Sequence, residues 1–116
     1  MKRNTSKKSS KSHEKISFKK QYLKSKPICR VTFRLPKDAA PQARRVAVVG
    51  DFNDWDEESN LMKRLKNGDF ALTLELETGK EYKFKYLIDG HRWENDWNAD
   101  KYHKNIHGTE DSVVVV

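Results

Sequence analysis

The stretch Tyr82-Lys-Phe-Lys-Tyr-Leu-Ile-Asp-Gly-His-Arg-Trp93 decides the fold class. Tyr82, Phe84, Tyr86 and Ile88 recur at every second position, with Lys83, Lys85 and Leu87 between them. A period of two puts the sets on opposite faces of an extended chain, so residues 82–88 are predicted to be a strand with one face in a core. Asp89-Gly90 follows as a two-residue hairpin signal, because the turn it favours needs positive φ. Trp93 stands just beyond that turn. Upstream, Val46-Ala-Val-Val-Gly50-Asp-Phe-Asn-Asp-Trp55 opens with a short β-branched run. That run predicts a buried strand over 46–49, bounded by Gly50. The polar cluster 51–60 reads as a loop, and it carries a tryptophan.

Working outward, Cys29-Arg-Val-Thr-Phe-Arg-Leu35 alternates cleanly and predicts a half-buried strand. Phe70-Ala-Leu-Thr-Leu-Glu-Leu76 does the same, with Phe70, Leu72, Leu74 and Leu76 on the core face. Leu61, Met62 and Leu65 form a short apolar patch before an Asn67-Gly68 turn. Residues 94–108 read as polar and irregular, with Trp97 and Tyr102 inside them. Ser112-Val-Val-Val-Val116 reads as a last strand. No amphipathic helix of ordinary length is predicted within residues 28–116. Short strands separated by turn signals imply an all-β, antiparallel β-sandwich.

The charge is unevenly placed. Ten of the 24 Lys/Arg and one of the 17 Asp/Glu lie in residues 1–26, a local charge of +9. Residues 27–116 keep 14 basic against 16 acidic groups, or −2. The domain itself therefore lacks a net basic field for a phosphate backbone. Residues 1–15 are Lys/Ser/Asn-rich, too poor in apolar surface to offset ordering entropy, and are expected to be a disordered, solubilising tail. Weak, salt-sensitive polyanion or nucleic-acid tethering is the sharper alternative for that tail. Ile16, Phe18, Tyr22 and Leu23 supply a lead-in segment packed on the domain edge, for which a short helix is one form, closed by Pro27. The expected division is thus a basic tail over 1–26 and one sandwich over 27–116, a length that suits a single domain. A lone cysteine, Cys29, excludes an internal disulfide, fits a reducing cytoplasm and reads as a small buried hydrophobe. No transmembrane run or signal peptide is read, and no membrane partner is expected.

Candidate sites centre on the tryptophans. A tryptophan is by default partly buried core. Trp55, however, sits among Asp51, Asn53, Asp54, Asp56, Glu57 and Glu58, and Trp93 among His91, Arg92, Glu94, Asn95 and Asp96. An indole stacks on the apolar C–H face of a pyranose, while neighbouring Asn, Asp and Lys groups reach its hydroxyls. Lys83 and Lys85 share the face opposite the core; for Lys83 a solvated lysine is the preferred reading. Asp54 and Asp56 offer two carboxylates of the kind a glycosidase uses, but an open acidic loop gives no reason for a raised pKa. Asp51, Asn53 and Asp56 hint at calcium, yet Trp55 and Asp56 occupy the places of the third ligand and the required glycine. His103 and His107 lack cysteine partners and a helix to present them, and read as solvated. No metal and no cofactor are expected.

Gly50-Asp-Phe-Asn-Asp-Trp55, Asn67-Gly-Asp-Phe70, the stretch from Tyr82 to Trp93 and Gly108-Thr-Glu-Asp-Ser-Val-Val114 occur in one order. Together they resemble the family-48 carbohydrate-binding modules over roughly residues 28–116. These include the glycogen-binding domain of the AMP-activated protein kinase β-subunit and the N-terminal early-set domains of isoamylases and glycogen-branching enzymes. The resemblance implies an immunoglobulin-like β-sandwich that binds α-1,4-glucan and does no chemistry. Its sugar-binding tryptophans fall on Trp55 and Trp93, its lysine on Lys85, and its asparagine near the last strand on Asp111. An aspartate there accepts from hydroxyls but does not donate as an amide does. Arg92 makes the hairpin one residue longer than in the kinase domain. Trp97 stands where the family often has proline; extending the platform and packing beneath it are its two readings, and packing is preferred.

The expected function is non-catalytic binding of glycogen, starch or maltodextrin, targeting or sensing storage polysaccharide, with a glycogen- or starch-metabolising enzyme as protein partner. The alternative is a sandwich that has lost the sugar and works through protein contacts, with the tail on polyanions.

Overall fold

The computed structural model describes residues 18–116, so the tail expectation for residues 1–15 lies outside it. Among these residues the chain forms nine strands: β1 (Lys19–Tyr22), β2 (Ile28–Leu35), β3 (Val46–Gly50), β4 (Lys63–Arg64), β5 (Phe70–Glu77), β6 (Glu81–Ile88), β7 (Arg92–Glu94), β8 (Lys101–Lys104) and β9 (Glu110–Val115). Only two short 3-10 turns, Lys37–Ala39 and Asp51–Asn53, interrupt them. One sheet has the order β1-β2-β5-β4; the other has β3-β6-β9-β8, with β7 paired to β6. Every ladder is antiparallel. The architecture is an immunoglobulin-like β-sandwich.

The alternation read in the sequence sets the faces. Cys29, Val31, Phe33 and Leu35 of β2 are buried, as are Phe84, Tyr86 and Ile88 of β6. Phe33 and Phe84 meet edge-to-face at 5.0 Å, the favoured geometry for two ring quadrupoles. Cys29 is a buried free thiol. Leu87 is buried too, although it faces the other way, with Ala47 and Val49 beneath the Trp55 ring.

Three local expectations change. The lead-in segment is a strand, not a short helix. Lys19 pairs with Thr32 and Tyr22 with Cys29, while the Phe18 ring enters the core 5.5 Å from Phe33 and 5.6 Å from Phe84. Residues 94–108 are not irregular throughout, since β8 pairs with β9 from Lys101↔Val113 to Lys104↔Glu110. The hairpin connection is three residues, because Ile88 pairs with Arg92. Asp89 and Gly90 both have positive φ, 53° and 76°, and His91 donates its N–H back to the Ile88 carbonyl at 3.2 Å. The turn chemistry was legible; His91 is the extra residue before pairing resumes.

Candidate functional site

The outer face of the second sheet carries the candidate site, and the loop after β3 builds its first wall. Asp51, Phe52 and Asn53 of that loop each have a distinct task. Asp51 accepts the Trp55 indole N–H at 2.9 Å and the Lys83 backbone N–H at 2.8 Å, so one carboxylate ties the ring to β6. Phe52 turns inward against Phe33 at 5.5 Å. Asn53 accepts from the Gly50 N–H at 3.1 Å and donates to the Val48 carbonyl at 3.0 Å. Asp54 and Trp55 both have positive φ, 56° and 58°. That is unusual for residues with a side chain, and such backbone strain concentrates at functional sites. The Trp55 N–H to Gly50 carbonyl bond at 2.8 Å closes the loop. Trp55 is half-buried, one side resting on the Ala47, Val49 and Leu87 patch.

Strand pairing brings up the rest. Val49 lies opposite Lys85 and Leu87 opposite Trp93. Phe84 lies opposite Ser112, which carries Asp111 up to Lys85. The Lys85 ammonium is 4.0 Å from the Asp111 carboxylate, both side chains largely shielded. Trp93 is 43% exposed. Trp55, Lys85, Trp93 and Asp111 thus line one open groove of about 1030 Å³.

The same groove takes residues that sequence reasoning passed over or, for Lys83 and His107, read as solvated. Lys104, Asn105, Ile106, His107 and Thr109 of the β8–β9 turn form its far wall, and Lys83 reaches it as well. Ile106 is 95% exposed, an aliphatic side chain held out in solvent. The available signal was Asn105-Ile106-His107-Gly108, an apolar residue in a turn tetrapeptide with no core position to occupy. Trp97 corrects an expectation: it is 48% exposed rather than packed beneath the platform, and it does not line the groove. Its indole N–H donates to Glu94 at 3.3 Å.

Behind the groove, the loop after β7 is pinned from inside. Tyr86 donates to Asp96 at 2.6 Å, and the Asp96 N–H donates to the Ser112 hydroxyl at 2.9 Å. Burial pushes the Asp96 carboxyl above its usual range against the Tyr86 and Asn98 hydrogen bonds. Burial, then the Asp96 charge, drives the Tyr86 phenol well up. This buried pair lies on the core side of β6 and fixes the strand from which Lys85 projects.

The three residues considered for calcium, one of which also belongs to the carboxylate pair, are already engaged. Asp51 and Asn53 are spent on the loop's own hydrogen bonds. Asp56 accepts the Glu58 N–H at 2.8 Å, which with Ser59 holds its carboxyl below the usual range, opposite to a general acid's need. Among the described residues no three His, Cys, Asp or Glu groups gather to hold a metal, and no helix is long and apolar enough to cross a membrane.

Comparison with known proteins adds four findings. Residues 31–109 match the family described as carbohydrate-binding module 48, isoamylase N-terminal domain. The chain is 44% identical over 57 residues to the 1,4-alpha-glucan branching enzyme GlgB of Synechococcus elongatus, covering 47% of this chain and 7% of that enzyme. It is 51% identical over 55 residues to GlgB of Bordetella pertussis, covering 45% of this chain and 8% of that one. The matched segment is thus a small fraction of the relatives' length. The enterobactin esterase Fes of Shigella flexneri, crystallised in the presence of enterobactin, aligns over 93% of this chain and 35% of its own with a TM-score of 0.71. At 15% identity that likeness concerns the fold alone.

Proposed function

Because the chain belongs to the carbohydrate-binding module 48 family, we propose that it binds α-1,4-linked glucan in the groove between Trp55 and the β8–β9 turn, without altering the sugar chemically. The observation that carries this reading is the convergence of two indoles, the Lys85 ammonium and the Asp111 carboxylate on one open groove. Trp55 and Trp93 stack on the C–H faces of glucose rings. Lys85 donates to hydroxyls and Asp111 accepts from them, so together they supply both halves of the hydrogen-bonding a diol requires. A shallow stacking site recovers little beyond the cost of association, so micromolar or weaker affinity is expected per site. In the cell such a module holds an α-glucan-metabolising enzyme on its polymer; the GlgB relatives support that choice of partner class.

The test is tryptophan fluorescence titrated with maltoheptaose and β-cyclodextrin, with Trp55→Ala and Trp93→Ala beside the unaltered protein. The expected result is saturable quenching or shift, with each replacement weakening binding about tenfold or more while the fold persists, the equivalent of about 1.4 kcal/mol per ring. A flat titration to millimolar sugar rejects the glucan reading and leaves a protein-interaction scaffold.

A further inference from the structure

The geometry points to Asn105 as a positioning residue for the groove, a role that neither the sequence motifs nor the relatives assign. Asn105 opens the β8–β9 turn and is half-buried. Its side-chain oxygen accepts the His107 N–H at 2.9 Å and the Thr109 N–H at 3.2 Å. Its side-chain nitrogen donates to the Thr109 hydroxyl at 2.8 Å and to Asp111 Oδ1 at 3.1 Å. An amide has two acceptor lone pairs and two N–H donors, and here all four are engaged. A group so fully used orients other groups and does not itself bind ligand.

Two consequences follow for the groove. The turn is locked on both sides of Ile106 and His107, which fixes the far wall. Asp111 Oδ1 is occupied by the Asn105 amide and faces Lys85 at 4.0 Å, so Oδ2 is left to accept from a hydroxyl in the groove. Only an amide satisfies both demands at position 105. The two turn N–H groups need an acceptor, and the Asp111 carboxylate needs a donor. A carboxylate at 105 would serve the turn but set two like charges about 3 Å apart, an arrangement in which both cannot stay ionised without cost.

This inference rests on the glucan reading and deepens it. The test is a four-member cycle: the unaltered chain, Asn105→Asp, Asp111→Asn and the double replacement, each titrated with maltoheptaose between pH 4.5 and 8. Amide exchange of His107 and Thr109 is followed to show that the turn persists. Asn105→Asp is expected to keep the turn yet weaken binding about tenfold at pH 7, and to recover toward acid as the carboxylate pair takes up one shared proton. The double replacement reverses donor and acceptor and is expected to bind within about threefold of Asp111→Asn alone, without that pH dependence. If Asn105→Asp binds as well as the unaltered chain, or if it weakens binding as much in the Asp111→Asn background as in the unaltered one, the role given to Asn105 is wrong. A flat titration of the unaltered chain instead overturns the glucan reading, and this inference with it.

Discussion

Replacing Gly50 by alanine tests the joint between β3 and the Trp55 loop most directly. Gly50 has a φ of −173°, which any residue adopts, so nothing in its torsion requires glycine. Its neighbours do. A Cβ at this position would overlap the Lys83 carbonyl oxygen and lie 2.7 Å from Phe84 Cβ and 2.9 Å from Phe84 Cα. Two of those three atoms are backbone, and the third is fixed by its own buried strand. Relief therefore means pulling the end of β3 away from β6. Overpacking costs about 1–3 kcal/mol, more where the neighbours cannot give. The Gly50 N–H to Asn53 and Trp55 N–H to Gly50 bonds share that joint, at about 1 kcal/mol each. The expected loss is about 3–5 kcal/mol. A domain near 100 residues loses about 4–8 °C per kcal/mol, so Tm should fall by about 12 °C or more.

Gly79→Ala supplies the contrast. Gly79 has a φ of 79° and nothing within 4 Å of a built Cβ, so its cost is torsional alone, about 1 kcal/mol. Thermal and urea unfolding followed by circular dichroism would rank the two. Maltoheptaose titration would show whether Gly50→Ala also weakens binding by displacing Trp55. Should Gly50→Ala prove no worse than Gly79→Ala, the close approach of the two strands is not what selects glycine, and the reasoning fails.

Two further predictions concern other parts of the molecule. Burial alone would raise the Asp69 carboxyl, but the Lys37 N–H at 2.9 Å, Arg34 at 2.8 Å and Asn67 at 3.2 Å outweigh it and hold the pKa down. The unfolded chain therefore binds the proton more readily: Asp69's contribution is full above the unperturbed pKa of about 3.9 and is lost as pH falls below it. Asp69→Asn should cost about 2–3 kcal/mol at pH 7 and flatten the acid limb of a stability–pH curve measured in urea; an unchanged limb would deny Asp69 that role. Ile106→Ala should leave stability within about 0.5 kcal/mol, since the side chain is 95% exposed, while weakening glucan binding about threefold. Unchanged affinity by isothermal titration calorimetry would mean that the turn tip stays clear of the sugar.

Much of this protein is legible in its residues taken in order. Alternation at residues 29–35, 70–76 and 82–88 assigned three strands and their inward faces, because successive side chains of an extended chain must point apart. The loop motif after β3 announced itself through a tryptophan among carboxylates. Asp89-Gly90 announced its turn through the positive φ that few residue pairs tolerate, although not that His91 would lengthen the connection.

The remainder depends on neighbours distant in sequence. Lys101–Lys104 is exposed throughout and shows no alternation, so its strand character comes from pairing with β9. Lys19–Tyr22 becomes a strand because β2 offers it an edge and the core offers Phe18 a slot. Gly50 looked like a strand terminus, yet it is demanded by the Lys83 carbonyl across the sheet. The meeting of Lys85 with Asp111, and of Asp111 with Asn105, is set by sheet register and turn geometry, neither of which one strand's pattern encodes. Sequence alone determined which residues match the family's motifs, because side-chain type and local period are properties of the chain. Only the tertiary structure decided which of them share a groove and what holds them there, because those distances arise from hydrogen bonds closed between segments far apart along it.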